Sequence, residues 1–191
     1  MTRTATHTLE RGSRTLDLAQ QGAIIIGASL FVAVCARVSL PLPGTPVPLT
    51  LQNFGVLLVG LMLGSRRGFA ALLLYLAEGA AGLPVFSIGG LGGIAQLLGP
   101  TGGYLFAYPL AAGLAGLIME RRARTFARAA VGSILGDVVL FAGGITWLTV
   151  YTHSFALAIR FGLYWFIFAE VIKVMCASAI ASGWQRFFKQ H

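Results

Sequence analysis

The chain has 191 residues, of which 57% are hydrophobic and only 10% charged, and its mean hydropathy is +0.80. Globular chains carry about 25% charged residues, so the composition excludes a water-soluble enzyme or binding module and specifies an integral membrane protein with a single core. The formal net charge of +8 does not make a nucleic-acid face, because the basic residues form short clusters between apolar spans, where membrane topology accounts for them.

Residues 1–18 are polar, with Arg3, Arg11 and Arg14 beside Glu10 and Asp17, and read as a cytoplasmic tail. They lack a signal-peptide pattern, since the following apolar run ends in Cys35-Ala36-Arg37 and a proline-rich loop instead of a small-residue cleavage site. The first span, about Leu18 to Val38, is long enough for a bilayer at ~1.5 Å per residue. Gly22, Ser29, Ala33 and Ala36 share one of its faces, suited to docking a partner helix or to packing within the protein. Residues 39–50, SLPLPGTPVPLT, hold four of the chain's seven prolines and no charge, which makes a stiff outer loop. The second span, about Thr50 to Gly64, falls short of a ~30 Å hydrocarbon core, so this loop must dip inward. Ser65-Arg66-Arg67-Gly68 reads as a tight basic turn into a third span, about Phe69 to Gly82, which is also short.

Residues 83–105, LPVFSIGGLGGIAQLLGPTGGYL, carry seven glycines, two prolines and no charge. Such a stretch cannot be a plain helix. Leu83, Val85, Phe86, Ile88, Leu91, Ile94, Leu97 and Leu98 need cover, which predicts a re-entrant cap packed into protein and closing a ligand site. A fourth span follows from about Gly103 to Met119, with Pro109 as a tolerated kink, and then the basic run Arg121, Arg122, Arg124, Arg128. The fifth span covers about Ala129 to Val150, with Gly132 and Gly136 at GxxxG spacing. The sixth covers about Phe161 to Gly183, and Arg186, Lys189 and His191 form the exit. Eleven of the fourteen Lys and Arg residues fall on one side, which the positive-inside rule makes cytoplasmic. The expected protein is therefore all-α, with six transmembrane helices, both termini inside and both Pro/Gly-rich loops capping an outward-facing pocket. Its parts are an N-terminal tail (1–18), a six-helix substrate-binding domain (19–185) and a C-terminal tail (186–191).

Three basic residues stand outside this pattern: Arg37, Arg160 and Lys173. Arg37 and Arg160 sit at the outer ends of spans, where long side chains snorkel. Lys173 lies about thirteen residues past Arg160, roughly 20 Å along one helix, and Glu170 precedes it by one turn on the same face. Charges at that depth point to a functional pair. Glu78 and Asp137 are further intramembrane acids, each suited to a ligand site, a proton relay or a helix-packing hydrogen bond. Tyr75, Phe86, Tyr104, Trp147, Tyr151 and Trp165 lie within or near the outer halves of the spans, as interface belt or pocket wall. Gln52 and Asn53, where the second span starts, suit a polar ligand ring. His7, His153 and His191 are scattered, Cys35 and Cys176 have no CxxC partner, and no GxxxxGK[ST] occurs, so no metal site, cofactor or nucleotide hydrolysis is expected.

Three segments, VPLTLQNFGVLLVGLMLGSRRG (47–68), YLAEGAAGLPVF (75–86) and GPTGGYL (99–105), with weaker support from GGITWL (143–148) and AEVIK (169–173), resemble the BioY family of biotin-specific substrate-binding (S) components of energy-coupling-factor (ECF) transporters. The resemblance implies a multi-pass protein of a prokaryotic cytoplasmic membrane that binds biotin from outside with high affinity. In the family a transmembrane coupling subunit and ATPase subunits drive uptake. The family's usual Asp and Lys in the last span correspond to Glu170 and Lys173, and its small-residue docking spacing in the first span to Ser29 and Ala33. The expected site is Glu170, Lys173, Arg37, Glu78, Gln52, Phe86 and Tyr104, with Glu170 accepting ureido N–H bonds or ordering Lys173, and Lys173 or Arg37 meeting the carboxylate. Two other readings stay open: a stand-alone proton-coupled transporter of biotin or another small carboxylate, and an assembly protein with no small ligand.

Overall fold

The computed structural model describes the backbone of residues 3–120 and 125–188 and the side chains of residues 17–120 and 125–183. Arg121, Arg122, Arg124, Lys189 and His191 lie outside the described residues, as do the side chains of Arg3, Arg11, Arg14 and Arg186. In chain order the elements are α1 (Arg3–Arg37), β1 (Ser39–Leu40), β2 (Leu49–Thr50), α2 (Gln52–Leu63), α3 (Ser65–Ala80), α4 (Gly93–Leu98), α5 (Gly102–Glu120), α6 (Phe126–Thr152), α7 (Phe155–Ile159), a π-helical turn (Arg160–Tyr164) and α8 (Ile167–Phe188). β1 and β2 pair antiparallel, Ser39 with Thr50, and clamp the ends of the proline-rich loop.

This is an all-α membrane protein. Asp17–Arg37, Gly102–Glu120 and Phe126–Thr152 are each long and apolar enough to cross a bilayer, and α7 with α8 passes the same test as a pair bent by 46°. α2 has 12 residues and α3 has 16, which is ~18 and ~24 Å of helix against a ~30 Å hydrocarbon core. α5 sits at the centre, against α2, α3 and α6. It gets close through small residues: a Cβ on Gly60 would stand 2.3 Å from the Ala112 carbonyl oxygen, and one on Gly116 2.4 Å from the Gly64 backbone. Without a hydrophobic force between helices in lipid, such backbone-to-backbone packing is the main attraction.

Three expectations are corrected. Residues 65–68 are not a turn but the first turn of α3. Gly64 alone reverses the chain, at φ 84°, and Glu120 accepts hydrogen bonds from the Ser65 amide and hydroxyl, both at 2.8 Å. The capping segment contains a helix, α4, and of the eight apolar residues expected to need cover only Val85, Phe86 and Leu97 are buried, whereas Leu83, Ile88, Leu91, Ile94 and Leu98 are exposed. A membrane protein can leave such side chains without protein cover because lipid covers them. The last span is not one helix: it breaks between the π-helical turn and α8. Depth measured along a straight helix from Arg160 therefore does not apply to Lys173, which lies in the second turn of α8.

Candidate ligand-binding site

Beneath the two Pro/Gly-rich loops lies a narrow, partly open cavity of ≈ 40 Å³. The first loop contributes Val47, Pro48 and Thr50, and the second Phe86, Ser87, Gln96 and Thr101. Gln52 and Asn53 come from α2, Tyr104, Leu105 and Tyr108 from α5, and Phe141 from α6. Gly162 and Phe166 flank the break, and Glu170 and Lys173 come from α8. A wider cleft between the two loops shares Pro48, Ser87, Gln96 and Thr101 with this cavity, and so forms its vestibule.

The polar floor is built from three helices. Lys173 Nζ donates to Glu170 Oε1 at 2.7 Å, across one helical turn. The same oxygen accepts from Asn53 Nδ2 at 3.1 Å, and Asn53 Oδ1 accepts from the Tyr108 hydroxyl at 3.1 Å. Glu170 and Lys173 are 5% and 7% exposed. At such burial a charge survives only when paired and hydrogen-bonded, and the Asn53–Tyr108 chain supplies the second contact. Glu170 Oε2 is buried and has no hydrogen-bond partner. Glu170 lines an aromatic-walled cavity, and a buried acceptor without a partner calls for an N–H or O–H donor.

The aromatic wall is seated on glycines. The Tyr104 ring lies against Gly144, where an added Cβ would be 2.2 Å from the ring, and its hydroxyl donates to the Gly162 carbonyl at 2.7 Å. The Phe86 ring fills the space over Gly79 and meets Tyr75 edge to face at 5.5 Å. Tyr75 in turn accepts from Gln52 Nε2 at 2.6 Å and donates to the Val85 carbonyl at 2.9 Å. It is fully buried and ties the capping segment to α2. Trp147 Nε1 donates to the Gly99 carbonyl at 2.9 Å, and the Thr45 hydroxyl to the Phe161 carbonyl at 2.8 Å. Both loops are thus bonded to the helices that wall the cavity.

Of the residues expected in the site, Glu170, Lys173, Gln52, Phe86 and Tyr104 come together. Arg37 is exposed at the end of α1 and lines neither the cavity nor the vestibule. Glu78 also lies outside the cavity, where it accepts a hydrogen bond from the Ser29 hydroxyl. Of the two uses the sequence left open for this face of α1, the bond serves packing within the protein: Ser29 is fully buried and Ala33 packs on the core. Tyr151 and Trp165 are exposed, as belt residues are. Tyr108, Ser87, Gln96, Thr101, Phe141 and Phe166 were missed. Tyr108 had a signal, since it follows Tyr104 by one turn on the same face of α5. Ser87, Gln96 and Thr101 are the polar side chains of an otherwise apolar cap. Among the described residues, no group of three His, Cys, Asp or Glu could hold a metal ion, and Cys35 and Cys176 are free thiols.

Residues 5–190 match the model of the BioY family. The chain is 42% identical over 160 residues to a probable biotin transporter BioY of Pyrococcus horikoshii, covering 82% of this chain and 93% of the relative. It is 39% identical, again over 160 residues, to the biotin transporter BioY of Thermotoga maritima, covering 82% of this chain and 92% of the relative. The fold is similar to the crystal structure of the S-component for biotin from an ECF-type ABC transporter, with a TM-score of 0.80 at 25% identity, covering 89% of this chain and 93% of the other.

Proposed function

The chain belongs to the BioY family, and on that premise we propose that it is the biotin-binding S component of an ECF transporter. It is a membrane transport protein and not an enzyme. It takes biotin from outside a prokaryotic cytoplasmic membrane, six spans crossing that membrane with both termini inside. A transmembrane coupling subunit and ATPase subunits supply the energy.

The observation that carries the ligand assignment is the unpaired, buried Oε2 of Glu170. Biotin's ureido ring brings N–H donors, and a neutral donor is what an unmet carboxylate oxygen accepts without adding charge to the site. The ureido head therefore enters first, one N–H on Glu170 Oε2. Tyr104, Phe86, Phe141 and Phe166 enclose the apolar bicycle, and the valerate carboxylate points to the vestibule, where Ser87, Gln96 and Thr101 offer polar side chains. Lys173 then serves mainly to orient Glu170 through their 2.7 Å contact.

The test is equilibrium binding of radiolabelled biotin to the detergent-purified protein, with riboflavin and thiamine as competitors. Saturable binding displaced only by biotin-like compounds is expected; folded protein without biotin binding refutes the reading. Co-reconstitution with coupling and ATPase subunits should give ATP-dependent uptake. Uptake by the chain alone, driven by a pH gradient, would overturn the energy-coupling part.

A further inference from the structure

The two arginines in the first turn of α3 form no ion pair with any acid among the described residues, and they stand at one end of an apolar groove that shares no residue with the ligand cavity. Arg66 is exposed and Arg67 half-buried. Glu120, the acid beside them, is already engaged: one of its oxygens accepts from the Ser65 amide and the other from the Ser65 hydroxyl, each at 2.8 Å. From Glu120 the sequence continues Arg121-Arg122-Ala123-Arg124, which brings no further acid. Leu63, Ser65, Arg66, Arg67 and Glu120 line a polar recess. Through Ser65 and Arg66 this recess opens into a shallow groove of ≈ 540 Å³ between α3 and α5, walled by Phe69, Leu110, Leu114 and Leu117 with Gly113 between them. The two helices run antiparallel here, since Ser65 meets Glu120 while Phe69 meets Gly113. The groove therefore leads away from the arginines along α5 from Leu117 to Leu110, roughly 10 Å of helix, or two thirds of a ~15 Å leaflet. Phe69, Leu110 and Leu117 are exposed.

A cationic recess that opens into an apolar slot has the pattern of a phospholipid. Guanidinium groups bind phosphate through paired N–H bonds, and basic pockets between transmembrane helices on the cytoplasmic side hold anionic headgroups. This end of α3 lies on the side that carries eleven of the fourteen Lys and Arg residues, which is the cytoplasmic side. We propose that the groove between α3 and α5 is a binding site for one anionic phospholipid of the inner leaflet. Its phosphate lies on Arg66 and Arg67, and one acyl chain runs over Gly113 between Phe69 and Leu114 toward Leu110. Gly113 keeps the slot open: an added Cβ would meet the Phe69 ring at 3.6 Å, an ordinary contact, and any longer side chain would extend into the acyl position. The lipid joins the start of α3 to the end of α5, and its binding does not depend on the identity of the ligand in the cavity.

The test titrates delipidated, detergent-purified protein with dioleoyl phosphatidylglycerol and with dioleoyl phosphatidylcholine, and counts bound lipid by native mass spectrometry. Phosphatidylglycerol should fill one site at least tenfold more tightly than phosphatidylcholine. Arg66→Gln combined with Arg67→Gln should abolish that preference. Gly113→Leu blocks the slot while leaving both arginines, and should weaken phosphatidylglycerol at least fivefold. Glycerol phosphate, which has the anionic group without acyl chains, should not displace the lipid even in hundredfold excess. Equal affinity for the two lipids overturns the proposal, as does a preference that survives loss of both arginines. Displacement by glycerol phosphate also overturns it, by reducing the site to a bare anion contact, and wild-type lipid affinity in folded Gly113→Leu removes the acyl slot. If Gly113→Leu does not fold, the arginine pair and the glycerol phosphate competition decide. Wild-type protein that binds no biotin but shows the arginine-dependent lipid preference would refute the functional reading and leave this inference standing.

Discussion

Replacing Gly144 with alanine perturbs the aromatic wall while leaving every polar group in place. The added Cβ would stand 2.2 Å from Tyr104 Cε1 and Cζ, where ordinary contact begins at 3.4 Å, so the ring must move away from α6 by over an ångström. The cavity is the open side, and the ring moves into it. Overpacking of this kind costs about 1–3 kcal/mol. The shift also breaks the 2.7 Å bond from the Tyr104 hydroxyl to the Gly162 carbonyl, adding about 1 kcal/mol. Because the displaced ring occupies ligand space, most of the cost should appear in binding: about 10- to 100-fold weaker biotin affinity at 1.4 kcal/mol per tenfold, with a lower melting temperature. Isothermal titration on purified protein reads the first and a thermal melt the second. Adding Tyr104→Leu to Gly144→Ala removes the clashing ring and should raise the melting temperature above that of the single variant. Wild-type affinity in Gly144→Ala, or a double variant no more stable than the single one, would show that the ring is not seated on this glycine.

Three further changes address the other supports. Lys173→Met removes one member of a buried ion pair and leaves Glu170 uncompensated, a loss of about 3–5 kcal/mol; biotin binding should fall more than 100-fold in protein that remains monodisperse, and unchanged retention of biotin through purification contradicts this. Trp147→Phe deletes the bond to the Gly99 carbonyl, worth about 1 kcal/mol, so biotin dissociation should quicken about fivefold while association changes little. An unchanged dissociation rate in a chase experiment would mean that this bond does not hold the cap. Tyr75→Phe leaves both Gln52 Nε2 and the Val85 carbonyl without their partner, and should lower the melting temperature by more than Trp147→Phe does, because the lost group is fully buried.

What was legible in the sequence was local. Glu170 and Lys173 are three apart in an apolar run, and any helix through them puts them on one face, whatever the tertiary structure. Gln52, Phe86 and Tyr104 were placed by the short helix and the glycine-rich cap around them. Choices between two apolar surroundings could not be read. Ser29 and Ala33 form a small-residue face that fits a partner or the protein's own α3, and only the bond to Glu78 decides. The exposed Leu91 and Ile94 are as apolar as the buried Leu97, since lipid and protein interior ask for the same side chains. The break before α8 had no proline to announce it. Residues 161–183 read as one continuous span, and the bend arises where Phe161 and Gly162 carbonyls are engaged by Thr45 and Tyr104.

The break and the short helices together explain why the pocket lies where it does. α2 and α3 end before they cross a bilayer's thickness, so on one side of the bundle the helices leave a space that only loops can close. Long helices α5 and α6 wall it with Tyr104, Tyr108 and Phe141. A straight last span would carry its apolar flank past the opening. The 46° bend instead starts a new helix at Ile167, and its first two turns bring Glu170 and Lys173 under the loops, beside the Asn53 that opens α2. An ion pair in this place needs no water to hold it, because Asn53 and Tyr108 donate into a closed chain that ends on Glu170. Glu170 Oε2 is left without a hydrogen-bond partner, which is the acceptor that the proposed ureido N–H would meet. Lengthening α2 or straightening the bend would remove the pocket without removing a single polar side chain.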